Sequence, residues 1–370
     1  MKTPVFERTQ DLRLPSGVLA AAGCANGERI IAGCMKGVFL VDVESGEHEW
    51  LYDHRSYVSS VAWTSETECV SAGYDGRVCW FDLEARTVIR ERQLHAFWSW
   101  DLAVSPDRTR LASVTGQYLA GGYKYEPSVE REPSIRVVAV KDGETLLSLP
   151  HVPSVQAVAI SPDNQMVAAG NLMGEVRVFD MNTGELVSQW TTPDFTSWGI
   201  IKSHSYLGGI FSMRFTPDGA ALLLAGMGSM RDPMAGNGRQ LWQKWDWRPG
   251  KPKLLGQVHK GESGEGLMEA LAVHPNLDFF VMGGRLRGGD WNAAAFDHES
   301  GKRLATLKTG FRITETEFLP DASTLIVAGA QGQPKKKKNG AFPPFGRIEL
   351  YRVSSSEPSP KAESEANTDS

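Results

Sequence analysis

An all-β chain closed into a ring of seven four-stranded sheets is the fold class this sequence predicts, and two observations predict it. Apolar strands, tight turns and glycine-bounded strand ends recur seven times along its 370 residues. The unit ends, Asp42, Asp82, Val140, Asp180, Asp246, Asp297 and Arg352, stand 40, 58, 40, 66, 51 and 55 residues apart, so the two shortest intervals share one period. A period near 40 residues is that of a four-stranded propeller blade. The architecture expected is therefore a seven-bladed β-propeller with insertions in four of its intervals.

Each element of the unit has a local cause. The inner strand is short and apolar or alternating, as in Val61-Ala62-Trp63, Leu102-Ala103-Val104, Ala157-Val158-Ala159-Ile160 and Ala270-Leu271-Ala272-Val273, which reads as a buried strand. A turn follows it at Ser105-Pro106-Asp107, Ser161-Pro162-Asp163, Thr216-Pro217-Asp218, His274-Pro275-Asn276 and Leu319-Pro320-Asp321. Proline presets the turn's φ, and the Asp or Asn side chain closes it with a hydrogen bond. The second strand ends near glycine and the third in Phe-Asp or a relative. A short turn such as Glu44-Ser45-Gly46 or Asn182-Thr183-Gly184 then leads to the outer strand.

In its second unit the pattern resembles the WD40 family of β-propellers, through His54, Val58, Val61, Ser71, Gly73, Asp75, Gly76 and Phe81-Asp82, where the family has Trp-Asp. The resemblance covers nearly the whole chain apart from the tail. It implies that His54, Ser71 and Asp75 are structural hydrogen bonders, and that His95 and His151, each before an inner strand, do the same work. Phe81, Phe179 and Phe296 stand where the family has tryptophan, and Trp245-Asp246 keeps the signature. With the histidine-serine-aspartate-tryptophan tetrad incomplete in most blades, cohesion is expected from packed apolar faces. Closure is expected from residues 3–12, whose alternation reads as a strand and which would complete blade seven beside Arg347 to Val353, since the polar residues that follow cannot supply an apolar-faced strand. The domain expected is residues 1–353, followed by a disordered polar tail over 354–370.

Composition narrows the function classes. The net charge is −5, with no bulk attraction to nucleic acid or anionic membrane. The N-terminus lacks a run of signal-peptide length and no segment approaches a membrane span, so a cytoplasmic, monomeric ring is expected. Cys24, Cys34, Cys69 and Cys79 contain no Cys-x-x-Cys pair and read as small buried hydrophobes. No cofactor and no metal site is expected, because neither His204 nor His259 has a partner at ligand spacing.

The insertions identify the working face. The first hairpin of each unit and the turn before the outer strand stay short, while every insertion lies between second and third strands or between one outer strand and the next inner strand. Because strands alternate in direction, those two connections emerge on one side of the disc. They carry aromatics, Met and Arg, the residues that dominate binding hot spots. The contact residues expected are Trp98, Tyr118, Tyr123, Trp198, Arg231, Trp242, Arg285, Arg287 and Phe342. One of Trp98 and Trp100 should face a blade interface and the other the channel mouth. Lys335 to Lys338 reads as a solvated loop tip.

The function expected is a non-catalytic scaffold or adaptor that binds a protein or peptide across the elaborated face. The alternative is a propeller hydrolase or lactonase with a small-molecule site at the axis, for which Asp101, Glu269 and Glu315, at the starts of their inner strands, are the candidate carboxylates, with Arg214 and Glu317 also on inner strands.

Overall fold

The computed structural model describes residues 3–117, 129–198, 206–227, 240–258, 265–276, 278–286, 290–332 and 343–356. It is a seven-bladed ring in which six sheets have four strands and one has five, all paired antiparallel to their neighbours. In blade two, for example, Val58–Trp63, Glu68–Gly73, Arg77–Asp82 and Thr87–Gln93 follow one another from axis to rim. Blade five carries an additional strand, Thr196–Trp198, paired with the start of its long inner strand Tyr206–Phe215. The expanded connection before that blade is thus partly a hairpin on the elaborated side.

Blade seven closes the ring with strands from both ends of the chain. Its order is Arg312–Phe318, Thr324–Ala330, Gly346–Ser356 and Thr3–Leu14. The closing strand is longer than residues 3–12, and its partner runs past Val353. Thr3 pairs with Ser356 and Leu14 with Gly346, with a bulge between Arg8 and Gln10. The boundary expected at 353 is therefore moved to Ser356: at this position strand pairing depends on the backbone, so Ser354 to Ser356 extend the sheet despite their polar side chains. Arg8 to Glu349 at 2.8 Å and Arg347 to Asp11 at 2.7 Å brace the same pair of strands. Residues 357–370 lie outside the described residues.

Seven apolar clusters hold the disc together, one in each interface between blades. The interface between blades seven and one contains Leu12 and Leu14 from the closing strand, packed with Val18, Ile326 and Ile348. Burying each leucine contributes about 1.5–3 kcal/mol. The four cysteines are buried in blades one and two, and burial pushes the Cys69 and Cys79 thiols up to about 12.

The histidine-serine-aspartate network is fullest in blade two. His54 Nδ1 donates to Asp75 at 3.0 Å, and Ser71 donates its hydroxyl to His54 Nε2 at 2.6 Å. Phe81 has no donor to offer Ser71, and Tyr52, from the outer strand of blade one, takes its place. Its ring stacks on Phe81 at 5.0 Å and its hydroxyl donates to Ser71 at 2.8 Å. Burial alone would raise the Asp75 carboxyl, but hydrogen bonds from His54 and from the Arg55 and Arg77 amides hold it well below the usual carboxylate range. Glycine is required at position 73, because a Cβ there would stand 2.6 Å from His54 Nδ1. Elsewhere the network is thinner: His95 Nε2 meets the Ser113 hydroxyl at 2.9 Å, and His151 Nε2 meets the Ala169 carbonyl at 3.3 Å.

Candidate functional site

The site begins with a recurring irregularity. In blades one, two, four, five and seven the pairing of inner and second strands slips by one residue near the strand start, leaving Leu19, Ser59, Gln156, Phe211 and Thr314 outside the ladder. Such a bulge turns its residue out of the ladder. All five line one cavity of about 920 Å³ at the mouth of the channel, as does Trp100, which holds the same place counted from His95. Blade six slips around Glu269, whose side chain lies outside the described residues.

Deeper in, the inner strands present two tiers of mostly small residues. The first has Ala20, Ser60, Asp101, Ser212 and Glu315 on the two cavities, while Ala157 and Ala270 at the matching positions are buried between blades. Two residues further along stand Ala22, Ala62, Ala103, Ala159, Arg214, Ala272 and Glu317. The four large charged side chains therefore share space that alanine and serine leave open. Asp101 and Glu315, from blades three and seven, are brought together around Arg214 of blade five, whose Nη2 is 3.5 Å from Glu315. These three residues line both the mouth cavity and a second cavity of about 550 Å³ that opens to the plain face between the inner-strand turns. They form a charged waist across the channel.

The waist has three carboxylates and one guanidinium. Asp101 accepts from the Leu102 amide at 2.8 Å, the Val158 amide at 3.0 Å and the Ser60 hydroxyl at 3.3 Å. Glu317 accepts from the Gly23 amide at 2.8 Å. Burial raises all three carboxyls, and Arg214 offsets only part of that. Glu315, which also feels the negative charges of Asp101 and Glu317, is raised to about 7, and Glu317 likewise. Among the described residues, no group of three or more His, Cys, Asp and Glu is placed to hold a metal ion, and no helix is long and apolar enough to cross a membrane.

Above the waist, one wall of the mouth is aromatic. Phe97, Trp98 and Tyr74 form a parallel stack, with centroids 5.1 and 4.7 Å apart and ring planes within 10°. Trp100 meets Trp98 edge-on at 5.2 Å, and Tyr57 lies 6.1 Å from Tyr74. Trp98 is 40% exposed and Tyr57 46%. Trp100 does two jobs: it packs against the apolar cluster between blades three and four, and it lines the mouth, donating from Nε1 to the Gly116 carbonyl at 3.0 Å. Arg285 and Arg312 are exposed on the opposite wall.

Of the expected contact residues, Trp98 and Arg285 are thus at the mouth. Trp242 is not: it is 3% exposed, and its ring meets Phe280 edge-on at 5.0 Å between blades five and six. The side chain looks inward because an indole on the third strand faces the neighbouring blade. Tyr118, Tyr123, Arg231, Arg287 and Phe342 lie outside the described residues, as do Lys335 to Lys338, His204, His259 and the Trp198 side chain. Tyr57, Tyr74 and Arg312 were not among the expected contacts. The signal for the first two is their place beside His54 and Gly73, at the mouth end of blade two.

The profile of the family described as "WD domain, G-beta repeat" matches residues 47–82, the stretch that contains Tyr52, His54, Ser71 and Asp75. The chain is 26% identical over 182 residues to "Telomerase protein component 1" of Rattus norvegicus, a match covering 48% of this chain and 6% of the relative. The Mus musculus protein of the same name is 23% identical over 189 residues, covering 50% and 7%. "Superkiller complex protein 8" of Dictyostelium discoideum is 36% identical over 67 residues, covering 18% and 22%. The chain therefore spans a small part of each of these relatives.

Proposed function

We propose, from the premise that this chain is a WD40-repeat β-propeller, that it is a non-catalytic scaffold binding a protein or peptide across the channel mouth. The observation that carries this reading is the stacked aromatic wall of Phe97, Trp98 and Tyr74 beside a cavity large enough to take side chains of a partner. Exposed, pre-stacked rings offer contact area at low ordering cost, and exposed apolar patches of this kind mark binding surfaces. The names of the relatives, a protein component and a complex protein, fit a part of an assembly. A cytoplasmic location is proposed from the four unpaired, buried cysteines, which suit a reducing compartment.

The test trims the elaborated face while sparing its braces. Glu130 accepts from the Ser134 and His151 amides, both at 2.9 Å, and Glu132 from the Ala96 amide at 2.9 Å, so the cut is confined to residues 118–128 and 228–239. Affinity capture from the native host compares the intact ring, this trimmed ring and Trp98→Ala. Loss of the captured protein from both variants, with far-UV dichroism unchanged, is the expected result. Equal capture by all three defeats the reading.

The convergence of Asp101 and Glu315 gives some support to a second reading, a hydrolase or lactonase with its small-molecule site at the axis. Ester or lactone turnover by the full chain, lost in Glu315→Gln, is its signature, and an inert chain argues for the scaffold.

A further inference from the structure

We propose that the mouth cavity receives one lysine or arginine side chain from the bound segment, its stem against Tyr57, Tyr74 and Trp100 and its charged head at Asp101 and Glu315. This rests on the scaffold reading and names the chemistry of the partner. The cavity, about 920 Å³, is of the size that takes an extended side chain with its neighbours. Aromatic faces above and carboxylates below are the two surfaces that attract a cation whose stem is apolar.

At the floor of the cavity the charges favour a cation over an anion. Among the described residues, Asp101 and Glu315 share one guanidinium, that of Arg214, and neither is fully sealed from the lumen: both line the cavity, and Glu315 keeps 23% of its side chain accessible. A second cation at the waist would complete the pairing that Arg214 begins, through short charge-assisted hydrogen bonds. Arg285, exposed on the far wall, disfavours a uniformly basic segment. The guest is therefore a single basic residue among neutral or acidic neighbours.

The probe is the peptide acetyl-Glu-Ala-Arg-Ala-Glu-amide, compared with the same peptide carrying citrulline at its centre, which keeps the shape and removes the charge. Each is titrated into the full chain and followed by tryptophan fluorescence and calorimetry. The arginine peptide is expected to bind saturably and at least tenfold more tightly than the citrulline peptide. Glu315→Gln should weaken it at least tenfold. Glu317→Gln, which alters an equally buried carboxylate on the plain-face side of the waist, should change it less than twofold. Absence of saturable binding, equal binding of the two peptides, or equal effects of the two variants overturns the proposal. The peptide pair needs no variant and decides the matter even if Glu315→Gln does not fold. Partner capture that survives Glu315→Gln but fails in the trimmed ring defeats the cationic guest and leaves the scaffold standing.

Discussion

Single residues set two pH dependences of opposite sign. Burial, with Arg136 nearby, pushes the His95 imidazole down to about 3, and burial with Arg177 does the same for His151. Both rings are neutral when folded and protonate near 6.5 when unfolded, so their contribution is fully present above 6.5 and is lost as pH falls towards 3. Glu315 runs the other way. Its folded value of about 7 lies above the ordinary 4.5, so its contribution is complete below 4.5 and is lost as pH rises through 7. Glu315→Gln should therefore stabilise the ring by roughly 1–3 kcal/mol at pH 8 and leave it nearly unchanged at pH 4, where the glutamate is protonated when folded and mostly protonated when unfolded. Thermal unfolding at the two pH values checks this, and an equal shift at both contradicts it. Tyr52→Phe keeps the stack on Phe81 and removes the hydroxyl bonded to Ser71. A loss of about 1–2 kcal/mol in urea unfolding is expected, and a change of a few tenths means the hydroxyl takes no part in blade cohesion. The role of Tyr52 was not legible in the sequence, because the family's fourth hydrogen bonder sits on the third strand and this one comes from the neighbouring blade.

At the scale of elements, the closing strand has the largest predicted effect. Removing residues 3–14 would expose the long strand Gly346–Ser356 as an unpaired edge and strip Leu12 and Leu14 from an apolar interface. Edges of that kind template aggregation, so size-exclusion chromatography should show loss of the monomer. A well-folded monomer without these residues would contradict the assigned closure. This strand was legible from the alternation of Val5, Glu7 and Thr9, as were the first hairpins of five blades from their Pro-Asp or Pro-Asn turns. Three of the six positions seen to line the mouth were also within reach: five residues after His54, His95 and His151 stand Ser59, Trp100 and Gln156. What spacing could not supply is the meeting of Asp101, Arg214 and Glu315. Their approach depends on closure of the ring, and nothing local to blades three, five or seven records it. Trp242 was misplaced for a related reason, since an aromatic beside an insertion reads as a loop residue until the strand's facing is known.

The molecule as a whole is one closed ring whose channel is divided into two compartments. Each blade packs on two neighbours through an apolar cluster, and the last is tied to the first by the chain's own start. An open repeat array can unravel from its ends, but this ring has none. Fluorescence of tryptophans in blade two and dichroism of the entire chain should therefore report a single coincident urea transition, whereas separated transitions would mean that blades unfold independently. The closing pair has a mechanical consequence as well. Thr3 lies directly across from Ser356, and the two strands run antiparallel from that point to Leu14 and Gly346. A force that draws the termini apart therefore loads one rung of this ladder at a time, peeling it open like a zipper. Had the ends lain at opposite ends of the pair, all the rungs would have borne the load in shear. A ring expected to unfold in denaturant as a unit is thus built to yield readily when tugged by its ends, and blade seven is where it gives way first.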